Sequence, residues 1–144
     1  MLRPLAFSAA LCALPGGALS DSAWATDESG MSQVRILEGW RSATGTHVAG
    51  LEISLAPGWK TYWRGPGPGG IPPEVVWSGS ENIQSLALRF PEPEVFTEFG
   101  MKTYGYTDRV VLPLELVLQD EASPTVLNLT MNYGICELIC IPAT

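Results

Sequence analysis

The sequence predicts an all-β domain built as a sandwich. Three observations carry that expectation. Apolar residues recur at every second position, glycine and proline punctuate the chain at short intervals, and no stretch pairs a 3.6-residue apolar period with helix caps. The clearest strand covers residues 110–118, where Val110, Leu112, Leu114, Leu116 and Leu118 share one face. Several short segments of this kind, separated by turns, describe two packed sheets, immunoglobulin-like in architecture.

The elements follow a leader. Arg3 precedes an apolar run over residues 5–14, then small and turn-forming residues, then Ala23-Trp24-Ala25. A positive n-region, an apolar run of about ten residues and an A-x-A site make a secretory signal peptide over residues 1–25, and the run is too short to span a bilayer. Leu11 stands before Cys12, where a lipoprotein signal would place a small residue. Cleavage after Ala25 removes Cys12 and leaves an even pair of cysteines in an oxidising compartment. The remaining segment, residues 26–144, has the length of one domain. Arg3 and Asp21 cancel in the leader, so the formal charge of -7 stays with the domain. Such acidity favours solubility and argues against nucleic acid or an anionic membrane surface as a partner.

Within the domain, residues 34–37 form a short apolar-rich run ended by Glu38-Gly39. Residues 48–55 place Leu51, Ile53 and Leu55 on one face, Glu52 and Ser54 on the other. Residues 75–77 end at Ser78-Gly79, and Ile83, Leu86, Leu88 and Phe90 mark a strand stopped by Pro91-Glu92-Pro93. Pro113, inside the strongest strand, predicts an edge or a bulge. Residues 126–131 form a last strand before the cysteines.

Two connections stand apart. Trp59, Tyr62 and Trp63 run into Gly65-Pro66-Gly67-Pro68-Gly69-Gly70-Ile71-Pro72-Pro73, a density of glycine and proline that excludes regular structure. Trp59 is expected to cap the core, and the aromatics beside the rigid loop to form a wall. Residues 96–106 hold Phe96, Phe99, Tyr104 and Tyr106 and read as too irregular for a strand. A loop with such residues is a binding surface, or packs beneath itself.

The chemistry-bearing stretch is Tyr133-Gly134-Ile135-Cys136-Glu137-Leu138-Ile139-Cys140-Ile141-Pro142. Extended, it would hold the two cysteine Cα atoms roughly 13 Å apart. A disulfide needs about 4.4–6.8 Å, so the segment must turn if the thiols are to meet. Gly134 eases such a turn, and Pro142 keeps Ile141 out of a helix. So short a ring gains little chain entropy and is easier to reduce, which favours a bond that is made and broken; a structural staple at a loop tip fits the same spacing. No Lys, Arg or His lies in the local segment to activate a thiol, and Glu137 opposes activation. The thiol is therefore expected to be sluggish in isolation and to be activated by docking.

Three motifs in order carry a resemblance: Gly58-Trp59-Lys60-Thr61-Tyr62-Trp63-Arg64; Glu98-Phe99-Gly100 with Tyr106-Thr107-Asp108-Arg109-Val110-Val111-Leu112-Pro113; and the cysteine segment. Together, over roughly residues 39–142, they resemble the amino-terminal periplasmic domain of the thiol:disulfide interchange protein DsbD, including its copper-tolerance branch. The resemblance implies an immunoglobulin-like fold that passes electrons from a membrane-embedded domain, in the same or a separate chain, to periplasmic thioredoxin-fold proteins. It implies Cys136 and Cys140 as the redox pair and no further cofactor. Phe99 becomes the aromatic of a cap loop over the disulfide, Tyr62 a tyrosine beside the cysteines, and Glu98 falls near the cap-loop carboxylate. The Cys-x-x-x-Cys spacing is shorter than in the best-known members and looks like the copper-tolerance branch. Ending at Thr144, the chain is expected to lack the last part of the sandwich, as a fragment or a short relative.

Two other readings stay open. One is a copper(I)-binding module, since paired thiolates with a thioether from Met131 or Met101 suit a soft metal. The other is a non-catalytic sandwich with a structural disulfide. His47, the sole histidine, is expected on a strand far from the cysteines. Two cysteines alone fall short of a zinc site, the Gly-Pro run is no phosphate loop, and the scattered carboxylates do not form a hydrolase pair.

Overall fold

The computed structural model describes residues 21–144. The leader expected over residues 1–25 lies outside the described residues except for its last five. Among the described residues eleven strands follow one another: β1 (Ala25–Thr26), β2 (Ser32–Arg41), β3 (His47–Leu55), β4 (Lys60–Tyr62), β5 (Glu74–Val76), β6 (Ile83–Leu88), β7 (Glu94–Glu98), β8 (Met101–Thr107), β9 (Arg109–Leu118), β10 (Thr130–Cys136) and β11 (Cys140–Ala143). They form two sheets, in the order β1-β2-β3-β9-β6 and β11-β10-β4-β8-β7, with β5 beside the first half of β10. The fold is an all-β, immunoglobulin-like sandwich, as the alternation predicts.

The core lies between the sheets. Leu51, Ile53 and Leu55 of β3 and the five alternate residues of β9 face Tyr106, Met131, Tyr133 and Ile135 of the second sheet. Ile53, Leu112, Leu114 and Ile135 are wholly buried. Each such side chain contributes about 1.5–3 kcal/mol relative to exposure. Trp59 and Trp63 pack, partly buried, against this core.

Three expectations are corrected. Pro113 is not on an edge strand, because β9 pairs with both β3 and β6. The carbonyl of Pro113 accepts from Arg89 N, just past the end of β6 at Leu88. In a strand the N and O of one residue point the same way, so the missing donor falls where the neighbouring ladder has stopped. Residues 96–106 are not an irregular loop but belong to the β7–β8 hairpin, paired from Glu94↔Gly105 to Glu98↔Met101. Gly105 sits there because a Cβ would lie 2.0 Å from the Thr61 carbonyl oxygen of the adjoining strand. The last strand before the cysteines is Thr130–Cys136 rather than residues 126–131, Val126 making only an isolated bridge with Glu81.

The outer face of the first sheet carries a buried carboxylate. Glu52 is paired with Arg35 at 2.6 Å and with Arg109 on its other side. The Arg35 guanidinium stacks 4.5 Å from the Trp24 ring centroid. Residues 22–26 thus lie along β2, with Ser22 N donating to Ile36 O (2.9 Å) and Ala25 opposite Val34. The expected cleavage point after Ala25 falls inside β1.

Asp27 fastens this amino-terminal arm. Its Oδ1 accepts from Ser32 N (2.7 Å) and Ser32 Oγ (2.9 Å), and its Oδ2 from Ser29 N (2.9 Å) and the Ser29 hydroxyl. With its proton committed to Asp27, Ser32 Oγ accepts from the Tyr133 phenol at 2.6 Å. Burial works to raise the Asp27 pKa, but the donors from Ser29 and Ser32 together hold it below the ordinary aspartate value. The unfolded chain therefore takes up this proton first. The resulting stabilisation is complete above about pH 4 and is lost as pH falls further. Asp27→Ala is expected to cost about 1–3 kcal/mol at neutral pH, and to remove part of the acid limb, in urea unfolding followed across pH 2 to 7.

Candidate active site

Directly opposite residues in an antiparallel ladder face the same way. Ile135 pairs with Thr61 and Ile141, and Cys136 pairs with Lys60 and Cys140. Ile135 fills the core, so Cys136, Cys140, Lys60 and, two residues on, Tyr62 all lie on the outer face of the second sheet. The ladder continues through Lys60↔Thr107 and Tyr62↔Gly105, then to Phe96 opposite Thr103 and Glu98 opposite Met101. Five strands thus contribute to one surface.

The cysteines close a hairpin whose loop is Glu137-Leu138-Ile139. They form a disulfide with their Cα atoms 4.1 Å apart, so the turn that the sequence required is present. The two sulfurs are not equivalent. Cys136 is 2% exposed, whereas Cys140 is exposed beside Leu138 (96%) and Ile139. Tyr62 OH donates to Cys136 Sγ at 2.8 Å and lies 3.3 Å from Cys140 Sγ. Burial, and then the Glu98 charge, push the Tyr62 phenol above its ordinary pKa, so it stays a protonated donor well past neutral pH.

Lys60, which no motif argument had marked as functional, is 5% exposed. Its Nζ meets Glu98 Oε2 at 2.5 Å and lies 5.0 Å from the Phe96 ring centroid. The local segment holds no cation, as the sequence shows, but strand pairing brings this lysine opposite Cys136. Glu137, counted as opposing the thiol, has its carboxylate beside Gly58, where a Cβ would lie 3.1 Å from Oε1.

Walls stand on either side. A Cβ on Gly134 would meet Ile71 Cβ at 2.5 Å, and one on Gly70 would meet Tyr62 Cδ1 at 2.9 Å. The Gly-Pro loop therefore lies over the outer face and shields Tyr62, held there by Tyr104 N donating to Pro66 O (3.0 Å). The β7–β8 hairpin is the other wall. Phe99 at its tip is 99% exposed and does not cover the disulfide in this structure. Phe99 and Gly100 have φ of 51° and 74°, the two positive values of a type I′ turn, a place where an aromatic is unusual.

The candidate residues divide accordingly. Cys136, Cys140, Tyr62 and Glu98 come together, while Phe99 is carried on the same hairpin but points to solvent. Met131 lies on the core face of β10, five residues from Cys136, and an odd offset in a strand points the other way; it is no ligand beside that sulfur. His47 begins β3, its Nε2 2.8 Å from Glu38 O, beside a cavity of about 410 Å³ at the far end of that strand from Leu55 and Asp108. Among the described residues no three His, Cys, Asp or Glu side chains cluster as a metal site.

A sandwich with a hairpin disulfide, one cysteine buried against a phenol and the other exposed, suits a thiol-disulfide exchange module, and the family match supports that class. The chain belongs to the family described as thiol:disulfide interchange protein DsbD, N-terminal, whose model matches residues 33–144. Among solved structures it is similar to the crystal structure of the N-terminal periplasmic domain of ScsB from Proteus mirabilis, at 36% identity and a TM-score of 0.69. The match covers 87% of this chain and 48% of that one, so the chain spans about half the length of that structure. No curated protein matches the chain.

Phe99→Asn relieves a positive φ that asparagine tolerates, and is expected to stabilise the fold by about 1 kcal/mol in thermal or urea unfolding.

Proposed function

We propose that the chain is a periplasmic electron carrier whose Cys136–Cys140 couple exchanges with thioredoxin-fold proteins on one side and a membrane-embedded donor domain on the other. The observation that carries this reading is the inequality of the two sulfurs. A partner thiolate attacks Sγ of Cys140, the exposed residue of the pair. A bond forms between the partner's sulfur and Cys140, the Cys136–Cys140 bond breaks, and its electron pair leaves on Cys136 Sγ, to which Tyr62 OH already donates. The partner's second thiol then attacks its own sulfur in the mixed disulfide, expelling Cys140 as thiolate. The partner ends as a disulfide and the carrier, after taking up two protons, as a dithiol. The same steps reversed pass the electrons on.

Exposed Leu138 and Ile139 support a protein partner, being large apolar groups in the loop between the cysteines. The leader over residues 1–25 and the periplasmic origin of the similar structure support export. The acidic domain supports a partner that is not nucleic acid.

Trapping tests the reading. Cys136→Ser leaves Cys140 exposed with no internal thiol to release a captured partner, so a periplasmic extract should yield a stable mixed disulfide with a thioredoxin-fold protein. Cys140→Ser should capture far less, its remaining thiol being buried. Capture by neither variant, or a reduction potential below about -300 mV as for structural bridges, would return the disulfide to a purely structural role.

A further inference from the structure

The mechanism leaves Lys60 without a task. An ammonium held out of water must be neutralised, and Glu98 does this at 2.5 Å while the Phe96 ring contributes a cation–π contact. Yet the residue directly opposite Lys60 in the ladder is Cys136. Opening the disulfide puts a full negative charge on that sulfur, in a place nearly closed to water. Tyr62 offers it a hydrogen bond but no positive charge.

We propose that Lys60 is a positioning residue for exchange: its ammonium, paired with Glu98, lies across the ladder from Cys136 and offsets the negative charge that develops on that sulfur as the bond opens. The proposal rests on the exchange reading only in requiring that the disulfide opens. The titratable groups that face it are Glu98 from β7, Tyr62 from β4 itself, and the two cysteines from β10 and β11, while β8 presents Thr107, bonded to Glu94.

The consequence separates a positioning role from a structural one. If Lys60 only pinned the hairpin, removing it would loosen the site, and the disulfide would open as fast or faster. If it answers the thiolate, removing it slows opening even in a looser site. The test is the rate at which dithiothreitol opens the Cys136–Cys140 bond in the full chain, read for each cysteine by mass spectrometry across pH 6 to 9.

Lys60→Met is expected to slow opening about tenfold, the effect of about 1.4 kcal/mol of lost stabilisation. Lys60→Arg should restore the rate to within about threefold. Glu98→Gln should open at least as fast as the parent. Parental rates in Lys60→Met, or a Lys60→Arg as slow as Lys60→Met, would overturn the proposal. Should Lys60→Met fail to fold, as its thermal unfolding would reveal, the other two variants decide: a slowed Glu98→Gln overturns the proposal, and an unslowed one with a near-parental Lys60→Arg supports it. Because dithiothreitol needs no docking surface, failure to trap a thioredoxin-fold partner would sink the carrier reading without touching these rates.

Discussion

Ile135 and Cys136 are consecutive in β10 and face opposite ways. Ile135 has no exposed surface, while Cys136 looks outward onto Lys60, Tyr62 and Cys140. Slipping β10 by one residue against β4 would exchange the two, putting a sulfur into the core and an isoleucine under the tyrosine. The site is therefore held by the same burial that holds the sandwich. Tyr133 and Met131, on the core face of the same strand, fix its register from the other end.

An outer sheet face normally meets water, and this one is closed over its central residues. The Gly-Pro loop covers Tyr62 from one side, and the β7–β8 hairpin, through Glu98 and Phe96, covers Lys60 from the other. Two glycines make the closure possible, since side chains at Gly134 and Gly105 would strike Ile71 and the Thr61 backbone. Inside such a partly dry recess, the phenol of Tyr62 acts on the Cys136 sulfur more strongly than it would in water. The loop between the cysteines stays outside, so the disulfide lies at the rim of the recess.

The first sheet serves this arrangement at a distance. The Asp27–Ser32–Tyr133 chain of hydrogen bonds ties the amino-terminal arm to the core face of β10, and Glu52, clasped by Arg35 and Arg109, ties β2, β3 and β9 together on the outside. A carboxylate so enclosed is tolerable only because both guanidinium groups are present, and losing either leaves an imbalance. These contacts keep the sandwich rigid enough to present a single register at the disulfide.

By itself the sequence determined the fold class and pointed to the pair of cysteines that bond. Val110 to Leu118 alternates so regularly that the core face of β9 could be read directly, and two cysteines four residues apart could bond only through a turn. Motif order also marked Tyr62 and Glu98. The β7–β8 hairpin was hidden because its two-residue turn uses Phe-Gly instead of a residue pair favouring positive φ, and Pro113 misled because a ladder's end cannot be seen from one strand. Lys60 carried a faint signal, since Lys60-Thr61-Tyr62 alternates once it is known to be a strand. Only the tertiary structure placed it opposite Cys136, made one sulfur buried and the other exposed, and left Phe99 in solvent. Local pattern fixes which face a side chain takes; which side chain it meets depends on strands 38 to 78 residues away in sequence, and that pairing is set by burial of the whole core.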